Sequence, residues 1–98
     1  MDRHLVNRDE AKETLASHLA SYRSWPYDRL AERVGSHETA EAKGPTGAAY
    51  QLEVVFAWDD APGGSVRVIG SVDDGGLRAF APLSDDFILA PDGSFVGE

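Results

Sequence analysis

Two rhythms of apolar side chains divide this chain. Near the start, Ala11, Leu15, Leu19 and Tyr22 recur at spacings of four, four and three, which lines them along one face of a helix. Asn7-Arg8-Asp9-Glu10 ahead of them has the form of a capping box, with Val6 placed to staple onto Ala11. Asp9, Glu10 and Glu13 sit where a helix favours negative charge. The spacing predicts a helix from about Arg8 to Tyr22 or Arg23, stopped or redirected by Pro26, which has no backbone N–H to donate. Tyr27, Leu30 and Val34 then predict a short second helix from Pro26 to Val34, and Gly35 suits the left-handed position that follows. The two helices make a corner whose aromatics (Tyr22, Trp25, Tyr27) either pack on the rest of the domain or line a pocket.

Beyond Gly35 the period changes to two. Ser36 to Lys43 is a weak first strand, and Gly44-Pro45-Thr46-Gly47 reads as a turn. Tyr50, Leu52, Val54, Phe56 and Trp58 then place a large apolar group at every second residue, the mark of a strand with one buried face. Loop formers from Asp59 to Gly64 interrupt the alternation, which resumes through Val66, Val68 and Val72. The central pair Asp74-Gly75 fits a type I′ two-residue hairpin, which would pair Asp73 with Gly76. That register sets Val72 against Leu77, Ile69 against Phe80 and Val68 against Ala81, with apolar residues meeting on one side. On the opposite side it gathers Val55, Ile69 and Phe80, with Glu53, Arg67 and Arg78 around them. Pro82 would end this fourth strand, leaving Phe87-Ile88-Leu89 as a short fifth. Pro91 to Ser94 turns the chain before Phe95-Val96, and this tail either covers the second sheet face or leaves it open for binding.

The whole predicts one α+β domain over residues 1–98, with a helical part at 7–35 and a sheet part at 36–98. Its N-terminal helix and short second helix pack on an antiparallel sheet of four to five strands. Ninety-eight residues suffice for one core and not for two, and a hydrophobic share of 42% argues against wholesale disorder.

Charge narrows the choice of partners. Residues 1–43 carry 7 basic and 8 acidic groups, whereas residues 44–98 hold only Arg67 and Arg78 against 9 acids. A sheet half so acidic repels phosphate backbones and anionic membrane surfaces, so neither nucleic acid nor membrane is expected as a partner. No apolar run is long enough to span a bilayer, and the N-terminus does not read as a secretory signal, so a cytoplasmic address is the expectation. The absence of cysteine excludes disulfides and thiolate chemistry.

The remaining chemistry is sparse. The pairs Asp59-Asp60, Asp73-Asp74 and Asp85-Asp86 offer oxygen ligands, but their spacing does not match a calcium loop, and aspartate belongs in turns for its local hydrogen bonds. Adjacent carboxylates on a strand point to opposite faces and make a poor acid–base pair. Ser36-His37-Glu38 has triad residue types without triad geometry, and Gly63-Gly64 and Gly75-Gly76 lack the lysine of a phosphate loop. No catalytic residue, cofactor or metal is therefore assigned.

From Trp58 onward the text WDDAPGGSVRVIGSVDDGGLRAFAPLSDDFILAPDGSFVGE resembles a group of small uncharacterised bacterial proteins. They share a Trp-Asp-Asp, a Gly-Gly, an Arg-Val-Ile-Gly-Ser-Val-Asp-Asp-Gly-Gly core, Arg-Ala-Phe and a closing Pro-Asp-Gly-Ser-Phe. The resemblance covers roughly residues 50–98 and implies importance for Trp58, Asp59, Arg67, Asp73, Asp74, Gly75, Gly76, Arg78 and Phe80, without implying an activity. Together with Ile69, these point to a non-catalytic accessory protein whose outward sheet face docks a partner protein or a second copy, since interfaces favour arginine and aromatic anchors. The alternative is a small enzyme or ligand-binding protein with an acidic site between the helix corner and the Trp58 loop, using Asp59 or Asp60 with His18.

Overall fold

A computed structural model of the chain describes residues 8–73 and 83–98. Helix α1 spans Arg8–Arg23 and helix α2 Tyr27–Ala31. Strands β1 (His37–Lys43), β2 (Ala49–Trp58), β3 (Val66–Asp73) and β4 (Leu83–Leu89) follow. They form one antiparallel sheet in the order β1-β2-β3-β4, so the expected α+β architecture is present with four strands. The second helix is shorter than the expected Pro26 to Val34: Pro26 is its N-cap and Glu32 its C-cap, and Gly35, with a positive φ of 95°, follows in the turns beyond it. The cap proposed at Asn7 and the staple at Val6 lie outside the described residues.

The alternation along β2 is reproduced in space. Tyr50, Leu52, Val54 and Phe56 are buried, as are Val66, Val68 and Val72 of β3, and together with Leu15, Leu19 and Leu30 they form the core. The helix-corner aromatics pack rather than open a pocket. Tyr22 meets Phe56 edge-on at 5.5 Å and Trp25 at 5.0 Å, and Tyr27 donates to Gly64 O at 2.6 Å.

The partner of β3 differs from expectation. Val72 faces Leu83, Val68 faces Phe87 and Val66 faces Leu89, so β3 pairs with residues 83–89 and not with 77–81. Phe87-Ile88-Leu89, expected to be a short fifth strand, belong to the fourth. The cause is burial. Leu83, Phe87 and Leu89 bring far more apolar surface to the inner face than Leu77, Ala79 and Ala81 could offer, while the turn expected at Asp74-Gly75 lies outside the described residues. The shift from Leu77 to Leu83 is six residues, an even number, so the inward and outward sets on β3 survive unchanged. Asp74, Gly75, Gly76, Arg78 and Phe80 lie outside the described residues.

Two close approaches set how the layers fit. A Cβ on Gly70 would lie 2.8 Å from Leu15 Cδ1 and 3.0 Å from Leu19 Cδ2, so α1 rests on β3 where the strand has no side chain. At the other end of α1, the Glu10 side chain is buried (6% exposed) and grips the β1–β2 turn. It accepts from Thr46 N at 2.7 Å, from Thr46 Oγ1 at 2.8 Å and from Tyr50 Oη at 2.6 Å. A Cβ on Gly44 would stand only 2.5 Å from Glu10 Oε2, so that turn too depends on glycine for the contact.

Gly70→Ala should destabilise the protein by about 1–3 kcal/mol in a urea melt, because Leu15 and Leu19 are enclosed and cannot swing into solvent. No loss would mean that the helix does not seat there.

The hydrogen bond from Tyr50, then that from the Thr46 backbone, hold the Glu10 carboxyl below its ordinary range against the opposing effect of burial. A depressed carboxyl stabilises the folded state at neutral pH, and this contribution is lost as the pH falls through its folded value. The stability gap between wild type and Glu10→Gln should therefore be widest near neutrality and close on acidification. A gap constant with pH would show that the charge is not what the turn holds.

Candidate functional site

The helices cover one face of the sheet, and the outward face carries the candidate residues. Its rows follow from the pairing register. Val55 of β2 lies beside Ile69 of β3, as the alternation predicts, but the next neighbour of Ile69 is Asp86, not Phe80. In the adjoining row Arg67 stands between Ala57 and Ile88. Toward the other end, Thr39, Glu53, Ser71 and Ser84 make a polar row across all four strands.

The C-terminal segment decides whether this face is closed. After the turn, in which Asp92 Oδ1 accepts from Ser94 N and Oγ, Phe95 bridges to Leu89 and packs against Phe87 with ring centres 5.8 Å apart. Phe95 thus joins the core on the helix side, where Arg23 lies 4.8 Å from its ring and is paired with Glu98 at 2.6 Å. Val96 instead bonds through its N–H to Ile88 O at 2.9 Å and is 44% exposed. Among the described residues, Val55 (37% exposed) and Val96 are the large hydrophobic side chains left most open to solvent. The tail therefore extends the apolar strip at the edge of the sheet without covering Val55 or Ile69.

Arg67 is anchored within the strip. Its Nε and Nη2 donate to Asp59 Oδ1 at 3.1 and 2.9 Å, and its Nη1 donates to Asp86. The bond to Asp59, with the further attraction of Asp86, raises the guanidinium above its ordinary value against a smaller opposing effect of burial. Exposed ion pairs stabilise little. What this one does is fix a long side chain across three sheet positions and cancel its charge locally.

The remaining predicted residues divide clearly. Asp59, Arg67 and Ile69 come together on the outward face. Trp58 does not: it follows the parity of Phe56 and packs partly buried against the core. Asp73 ends β3 opposite Gln51. Asp74, Arg78 and Phe80 lie outside the described residues. Sequence reasoning missed Ala57, Ile88 and Val96 as members of the strip and Asp86 as a partner of Arg67. Period two from Leu83 through Phe87 to Leu89 was the signal that could have found them.

The acidic site proposed around Trp58, Asp59 and His18 is not assembled. Asp59 is engaged with Arg67 beyond the end of β2, on the outward face. His18 lies on the helix side near the opposite end of that strand, edge-on to Tyr22 at 5.6 Å. It lines an open groove of about 360 Å³ with Glu13, Ser17, Lys43 and Pro45. Among the described residues no three His, Asp or Glu side chains gather to hold a metal ion, and no helix is long and apolar enough to cross a membrane.

The anchoring of Arg67 can be measured directly. Its Nε–H should exchange slowly with water, and Asp59→Asn should accelerate that exchange while leaving the sheet amides unchanged. An equally fast wild-type Nε–H would mean the carboxylates do not hold it. Comparison with protein-family models, curated proteins and solved structures finds no match to this chain.

Proposed function

We propose that the protein is a non-catalytic binding or accessory module whose outward sheet face docks another protein. The observation that carries this reading is the strip formed by Val55, Ala57, Ile69, Ile88 and Val96 on the side of the sheet away from both helices. In an isolated domain such positions are ordinarily polar, giving the alternation of a half-solvated sheet. Here aliphatic side chains alternate with only His37, Arg67 and Asp86 in the same two rows, while the adjoining row of Thr39, Glu53, Ser71 and Ser84 follows the usual pattern.

Arg67 supports the same reading. A preordered arginine at the centre of an apolar patch meets a partner without first losing side-chain entropy, and arginine is enriched where interfaces concentrate their binding energy. The carboxylates best placed for acid–base work, Asp59 and Asp86, are committed to that arginine. A module that binds without reacting needs nothing more from them.

The test replaces Val55 and Ile69 together by serine, a change on the outward face that leaves the core intact. Wild-type and variant full-length chains are compared by circular dichroism, by sedimentation and by the proteins each retains. A partner held by the wild type should be bound at least about tenfold more weakly by the variant, since tenfold corresponds to only about 1.4 kcal/mol. An identical retained set and an identical sedimentation coefficient, with the fold preserved, would defeat the proposal.

A further inference from the structure

We infer that the occupant of this face is a cationic amphipathic segment of a different protein, with lysine or arginine flanking aliphatic side chains, and not a second copy of this chain. The inference rests on the docking reading above and adds the chemistry of the partner. Its basis is the charge left over once internal pairing is complete. Around the strip stand Glu53, Asp59 and Asp86, with Glu41 farther along β1, against Lys43 and Arg67, and His37 lies directly beside Val55. Arg67 is already shared between two carboxylates, so it presents little positive potential outward. Glu53 flanks the strip at one end, Asp86 beside Ile69 and Asp59 beyond Ala57 at the other, and an approaching chain meets aliphatic surface between negative rims.

That arrangement discriminates between occupants. Two copies stacked through this face would bring Glu53 and the one negative charge left over by Asp59, Arg67 and Asp86 against like charges, in a chain whose net charge is already -8. A basic segment gains in both respects: its aliphatic groups cover Val55 and Ile69, and its cations are drawn in by the field of the whole molecule. From β2 across β3 and β4 to Val96 on the tail the strip is about 14 Å wide at ordinary strand spacing, so it fits one helix or one extended segment better than a broad domain surface.

The experiment uses the isotopically labelled full chain and two peptides of equal length, one built from lysine and leucine, the other from glutamate and leucine. Amide shifts are followed on titration at low and high salt. The lysine peptide should shift the amides of Val55, Ala57, Arg67, Ile69 and Ile88, at least about tenfold more tightly than the glutamate peptide, with the preference fading at high salt. Ile69→Ser and Glu53→Lys should each weaken it, the first at any salt and the second chiefly at low salt. Equal binding of both peptides at this face, with loss in Ile69→Ser, would overturn the cationic partner while leaving the docking reading standing. Shifts elsewhere, or no binding of either peptide, would overturn the inference, and the double-serine comparison then judges the docking face by itself. Concentration-dependent self-association that moves the same amides without peptide would overturn it in favour of a second copy.

Discussion

Leu15 and Leu19 descend onto β3 where residue 70 contributes no Cβ, and the position of everything on the helix side follows from that contact. With α1 seated at this height, its C-terminal end brings Tyr22 onto Phe56, and its first turn brings Glu10 onto the β1–β2 turn. A side chain at position 70 would lift the helix and open a gap over Val68 and Val72, both of which are buried. Interiors tolerate such gaps poorly, because unfilled space forfeits dispersion contacts and apolar burial together. Among the described residues one layer of helix lies over one sheet, and no helix covers the second sheet face.

How much of this was legible in the sequence depended on the range of the deciding contact. The buried face of β2 could be read because five large apolar residues from Tyr50 to Trp58 repeat with period two, a property of the strand alone. The same holds for α1 and for the side on which Arg67 and Ile69 emerge. The partner of β3 could not be read locally. Asp74-Gly75 is a sound hairpin signal, but choosing between residues 77–81 and 83–89 requires weighing what each would bury under α1, and that depends on a helix some sixty residues earlier. Glu10 was hidden differently. An acid in the first turn of a helix already has a local explanation, so nothing in the sequence marks it as gripping Thr46 and Tyr50, which are 36 and 40 residues away.

The candidate surface shows the same division. Val55 beside Ile69 was predicted and is present, whereas Asp86 enters only through the observed register of β4. The arginine read from sequence as an interface anchor is also an internal cross-link, held by Asp59 and Asp86. At the helix corner Arg29 stacks 3.8 Å over Trp25 and Arg33 pairs with Glu38.

The grip of Glu10 has a consequence for how copies of this protein behave toward one another. Among the described residues β1 ends the sheet with a neighbouring strand on one side only, and such a strand is a template onto which another chain can add. Its safeguards are its carboxylates Glu38 and Glu41, together with the hairpin geometry that Glu10 maintains from the helix. All of these guards are acids. Colloidal solubility and the integrity of the sheet margin are consequently tied to the same protons, and the two would be surrendered together.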